Sequence, residues 1–132
     1  MTNSSDGLHK QIDLSYDEAL PHVTEALKAE GFGILTEIDV KATMKNKLDV
    51  DMDKYIILGA CNPGLAHQAL QSEQTVGLLL PCNEIVYEDA ASGKTGVGIL
   101  DPATLVQISD NNELETVANE ARARLERVIA SI

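Results

Sequence analysis

The sequence predicts a single α+β domain of two layers, mainly antiparallel sheet with helices packed on one face. Three observations carry this. Strand-like and helix-like segments follow one another as β-α-β-α-β-α-β-β-α. Several links between them are too short for wide crossovers, and one pair of strands closes as a hairpin. The length of 132 residues suits one core, and 44% hydrophobic residues supply enough burial to build it. Residues 1–7 read as a disordered tail and residues 8–132 as the domain.

Leu8, Ile12 and Leu14 share one face of a first strand, leaving its other side wet. Ser15 and Glu18 form a capping box that opens a helix, with Tyr16, Ala19, Leu20, Val23 and Leu27 as its buried stripe. Pro21 falls beyond the first turn, where it is expected to kink the helix at a cost of up to about 3 kcal/mol. Gly31 is expected to end that helix in a left-handed conformation. Phe32 to Ile38 is a second strand. Asp39 caps a short helix whose Val40, Met44 and Leu48 recur at successive turns. Tyr55 to Ala60 is a buried strand. Asn62-Pro63 then opens another helix, because asparagine is a preferred cap and proline at the first helical position loses only an orphan N–H. Val76 to Tyr87 reads as strand on both sides of an interruption at Pro81-Cys82, taken as a bulge. Ser92-Gly93 turns the chain into a returning strand, Thr95 to Leu100. Ala103 to Ile108 has room for one or two helical turns. The last helix carries Leu114, Val117, Ala118, Ala121, Leu125, Val128, Ile129 and Ile132 on one face.

The charge balance is strongly acidic: 10 Lys and Arg against 21 Asp and Glu, a net charge of −11. Such a field repels phosphate backbones and anionic membranes, so neither nucleic acid nor membrane is an expected partner. Aromatics make up only 3% of the chain and tryptophan is absent, which leaves no stacking platform for single-stranded nucleic acid. No apolar run approaches the roughly 20 residues of a membrane span, and the polar N-terminus lacks a signal-peptide core. The expected compartment is the cytoplasm, where two cysteines stay reduced rather than bridged. Lys41, Lys45, Lys47 and Lys54 cluster together, but Glu37, Asp39, Asp49, Asp51 and Asp53 surround them, so the cluster reads as a solvated face.

Both cysteines, Cys61 and Cys82, fall where an apolar run breaks near a proline. The stretch Cys61-Asn62-Pro63-x-x-Ala66-x-x-Ala69-Leu70 resembles the domain-of-unknown-function family numbered 302. So does Gly77-Leu78-Leu79-Leu80-Pro81-Cys82-Asn83. Gly31-Phe32-Gly33 with Thr36-Glu37-Ile38-Asp39, and Asp101-Pro102, are similar as well, so the likeness spans roughly residues 7 to 130. It implies a small bacterial or archaeal α+β domain that tends to form homodimers, and it brings no catalytic residues with it. The apolar, charge-poor run Val76 to Leu80, read as strand, adds to the expectation of a homodimer.

Candidate site residues gather around the two thiols: Cys61, Asn62, His67 and Cys82, with Glu37 and Glu84 as carboxylates within plausible reach. Cys61 precedes a helix N-terminus, whose positive end favours a thiolate, but free cysteines are among the most buried residue types, and packing is the preferred reading of both. The spacing is not that of a zinc site, since neither Cys-x-x-Cys nor His-x-x-x-His occurs. Gly31-Phe32-Gly33 follows a helix and precedes a strand, the reverse of a dinucleotide fingerprint, and no nucleophile elbow is present. The residues therefore support two readings. One is a homodimeric domain that binds a small ligand or a partner without a catalytic set. The other is a thiol protein handling redox equivalents, sulfur or a metal through Cys61 and Cys82. No cofactor is specified by either.

Overall fold

The structure, a computed structural model, describes residues 2–3 and 7–132. Six antiparallel strands form one sheet in the order β1-β2-β6-β5-β4-β3. The strands are β1 (Thr2–Asn3), β2 (Gly7–Ile12), β3 (Gly33–Asp39), β4 (Tyr55–Cys61), β5 (Cys82–Asp89) and β6 (Lys94–Leu100). The helices are α1 (Tyr16–Ala29), α2 (Val40–Leu48), α3 (Pro63–Ser72), α4 (Ala103–Ser109) and α5 (Glu115–Ser131). Short 3₁₀ segments at Gln74–Leu79 and Asn112–Leu114 complete the chain. Of the expected N-terminal tail, Thr2 and Asn3 pair with His9 and Leu8 as β1, and residues 1 and 4–6 lie outside the described residues.

Local chemistry explains most boundaries. Ser15 accepts the Glu18 amide while the Glu18 side chain reaches back to the Ser15 amide, closing the capping box of α1. The same helix ends in a Schellman motif. Gly31 takes φ +87°, its N–H reaches the Lys28 carbonyl, and the Phe32 N–H reaches the Leu27 carbonyl. Pro21 lies inside α1, which still runs unbroken from Tyr16 to Ala29. Asp39 caps α2 through the Ala42 amide. Gly93, at φ +72°, supplies the left-handed residue of the β5–β6 hairpin.

The core lies on one face of the sheet. Leu8, Ile12, Ile56, Leu58, Ala60, Val86, Val97 and Ile99 point from the strands toward Ala19, Val23 and Leu27 of α1 and Ala121, Leu125, Val128 and Ile129 of α5. Alternation along each strand puts His9, Ile38, Tyr55, Ile57, Ile85 and Tyr87 on the opposite face, where all six are partly or well exposed. A second, smaller core joins Ala69 of α3, Val76, Leu105 of α4, Leu114 and Val117 of α5. One long-range bond ties the ends of the fold together: Lys10 Nζ of β2 donates to the Ile129 carbonyl in the last turn of α5, at 3.0 Å.

Two elements depart from the sequence reading. Val76 to Leu80 is not strand: Gln74–Leu79 is 3₁₀ helix, with Val76 buried and Leu78 88% exposed. A short apolar run alone does not separate strand from tight helix, and here burying Val76 against α3 and α4 wins. The interruption at Pro81, joined to Leu80 by a cis peptide, is the entry to β5 rather than a bulge within a strand. The observed register shift falls instead in β3, between Ile34 and Thr36. No residue of α2 is buried, and Leu48 is 66% exposed.

Candidate functional site

The end of β4 and the start of β5 meet α3, α4 and α5 at an apolar cleft of about 40 Å³. Its walls come from six parts of the chain: Phe32 before β3, Ala60 and Cys61 of β4, Leu65, Ala66 and Ala69 of α3, Leu80 to Cys82 before and at β5, Leu105 of α4, and Val117 and Ala121 of α5. Asn62 sits at the junction of β4 and α3 and also lines it. Its Oδ1 accepts the Leu65 amide at 3.2 Å, so the cap that starts α3 also fixes a polar group at the cleft. The α4 wall is anchored from outside, where Arg122 of α5 meets Asp101 at 2.6 Å, just before α4.

The cleft brings together Cys61, Asn62 and Cys82. It does not bring in His67, which is exposed on α3, or Glu37, which is exposed on β3. Glu84 stands next to it. Cys82 and Glu84 share the inner face of β5, and Glu84 pairs across the sheet with Leu58 and Ile99. Glu84 is 0% exposed, and among the described residues neither carboxylate oxygen has a hydrogen-bond partner. Burial pushes its carboxyl well above the usual range; the nearby Ala60 amide opposes the shift without reaching hydrogen-bonding geometry. The group is therefore held as the neutral acid, which resolves what would otherwise be an unpaired charge in the core.

The thiols run against the helix-dipole argument for Cys61 and with the packed reading of both cysteines. The helix that should favour its thiolate is present, with Asn62 as cap and Pro63 in its first turn. Burial nevertheless raises the Cys61 thiol above its ordinary value. Cys82 is pushed up to about 12, first by burial and then by the proximity of Glu84 and Cys61. Desolvation is the cause of that rise, because the cleft walls around the sulfur are mostly apolar. Among the described residues, no group of three or more His, Cys, Asp and Glu side chains converges as a metal site. Glu84 could be named from the sequence, but its burial could not: the signal was its place at alternate spacing between Cys82 and Val86. The contributions of Phe32, Leu105, Val117 and Ala121 carried no local signal.

Residues 8–132 match the family model described as "Domain of unknown function DUF302". The chain belongs to the DUF302 family. A solved structure of an uncharacterised conserved DUF302 protein from Bacillus stearothermophilus superposes with a TM-score of 0.87 at 28% identity, covering 97% of this chain and 98% of that one. Curated relatives of this DUF302 domain include the fluoride-specific ion channel FluC 1 of Brucella suis, 33% identical over 94 residues. The match takes in 70% of this chain and 36% of that protein. FluC 2 of Brucella melitensis is also 33% identical over 94 residues, with 34% of its length matched. The chain thus spans about a third of the length of the curated relatives it matches. No helix among the described residues of this DUF302 domain is long and apolar enough to cross a membrane.

Proposed function

We propose that this DUF302 domain is a homodimeric binding protein that holds a small ligand in the cleft between α3, α4, α5 and the end of the sheet. The observation that carries the reading is the cleft itself, an apolar recess with one fixed polar group, Asn62, at its wall. Binding sites are typically concave, mostly apolar and provided with few polar groups. Self-association is supported by the sheet face away from α1 and α5. Ile38, Tyr55, Ile57, Ile85 and Tyr87 lie there half-exposed or exposed, and the Tyr55 and Tyr87 rings stack at 5.5 Å. In a chain of net charge −11, the centre of this face carries no Asp or Glu; the charged Asp89 and Lys94 stand at its hairpin end. Two copies can meet there without bringing carboxylates together, which fits a second copy better than an acidic partner.

The reading of Cys61 and Cys82 as a redox or metal pair has less support, because burial disfavours both thiolates. A native mass spectrum of the purified protein tests the proposal. It should show the mass of a dimer with a small-molecule adduct, and Ile57→Lys should return the monomer. A wild-type spectrum containing only unliganded monomer at micromolar concentration would falsify it.

A further inference from the structure

We infer that the ligand of the cleft is a small uncharged molecule with an alkyl chain of about three carbons, held by contact with apolar side chains. This rests on the reading of the cleft as a ligand site and names the chemical class that site would take.

No lining residue carries a charge. The walls are aliphatic side chains, a proline, one phenylalanine, the two cysteines and Asn62. Burial raises both thiols, Cys82 to about 12, so each sulfur is neutral at ordinary pH. The Asn62 side chain has its Oδ1 committed to the Leu65 N–H at 3.2 Å. Arg122 and Arg124 follow the lining Ala121 along α5, but neither lines the cleft. Both are engaged with acids, Arg122 with Asp101 at 2.6 Å and Glu126 at 2.7 Å, Arg124 with Glu120 at 2.9 Å. Glu84 is also off the lining, and stands beside the cleft as a buried neutral acid. An ionic ligand would find no counter-charge here, and burying a charge without one costs more than a few apolar contacts return.

Volume sets the length of the chain. The cleft's volume of about 40 Å³ has room for about three water-sized groups, the size of a propyl chain. Phe32, Leu65, Ala66, Ala69 and Ala121 offer that chain apolar surface. Each methylene moved from water into such surroundings tightens binding about four-fold. The gain ends when the cleft is full, and a polar end of the molecule is left at the mouth, in water. The net charge of −11 concentrates cations near the protein and depletes anions. A preference for the neutral molecule over both ions therefore reports the cleft and not the long-range field.

The test titrates straight-chain alcohols from ethanol to 1-hexanol, with butanoate and n-butylammonium as ions whose propyl tail equals that of 1-butanol. Methyl resonances of Leu65, Ala66, Ala69 and Ala121 are followed by NMR during each titration. Affinity is expected to rise about four-fold per carbon up to 1-butanol, which places a propyl chain inside, and then to level off. Butanoate and butylammonium should each bind at least about ten-fold more weakly than 1-butanol, because a charged head loses hydration against an apolar wall. Ala66→Leu should fill the cleft and abolish the shifts, with circular dichroism confirming its fold; if that variant does not fold, the wild-type series alone decides. Either ion binding as tightly as 1-butanol, or affinity that climbs unchanged to 1-hexanol, overturns the inference and leaves the ligand site standing. Shifts that persist in folded Ala66→Leu place the alcohols elsewhere and overturn it too. If no alcohol and neither ion moves the cleft methyls, the inference and the ligand site both fall.

Discussion

Glu84→Gln should make the protein's stability less sensitive to pH rising above about 4.5, with a slope that can be worked out in advance. Glu84 is fully enclosed, without a hydrogen-bond partner among the described residues, and held as the neutral acid. Its carboxyl ionises near the ordinary value of 4.5 when the chain unfolds and well above that value when it is folded. Below about 4.5 both states carry the proton, and the group's contribution to stability is fully present. As pH rises beyond that, the unfolded chain releases the proton and the folded one keeps it. Stability then falls by about 1.4 kcal/mol per pH unit until the folded-state ionisation is reached. Glutamine keeps the shape and removes the titration. Urea unfolding of both proteins at a series of pH values from 4 upward gives the difference directly. The two should be closest at the acid end, with the variant gaining on the wild type by about that slope at higher pH. A stability difference that stays flat with pH would show that Glu84 ionises alike in both states, and the assignment of a neutral buried acid would be wrong.

Two further outcomes follow from burial. Leu125 is 0% exposed in the main core, so Leu125→Ala should cost about 2–5 kcal/mol in chemical unfolding; a loss under roughly 0.5 kcal/mol would place the residue outside the core. Alkylation of Cys61→Ser and Cys82→Ser variants at neutral pH should be slow in both folded proteins and slower for the remaining Cys82, which is buried with its thiol pushed up to about 12. Fast reaction of either folded variant would contradict the burial-driven rise of its thiol.

The parts of the fold legible in the sequence are those set by neighbouring residues. Ser15, Asp39 and Asn62 each cap the helix expected of them, since a cap needs only a side-chain oxygen a few residues from the amide it serves. The hairpin around Gly93 and the apolar stripe of α5 were readable for the same reason. What depends on distant contacts was not. Val76 to Leu80 has the composition of a strand, and only its packing against Ala69 and Leu105 makes it a 3₁₀ turn. Leu48 recurs at successive turns with Val40 and Met44 yet stays 66% exposed. At the site, Cys61, Asn62 and Cys82 were identifiable, but the dipole argument for a Cys61 thiolate did not hold, because a helix dipole is local and desolvation is not. Gly31 and Arg124, 93 positions apart, are packed together only by the fold.

The bond from Lys10 to the Ile129 carbonyl closes the fold between its first long strand and its last helix. Synthesis on a ribosome gives this a direction. Strand β2 has only the two residues of β1 beside it until its main partner, residues 94–100 of β6, has emerged from the exit tunnel. The inner face of the sheet then waits again for Leu125, Val128 and Ile129, the last core residues to be made. Non-local pairing of this kind rewards the chain late. The nascent protein therefore leaves the tunnel with its first apolar strand open to solvent and to other chains, and that exposure ends only when the final helix docks.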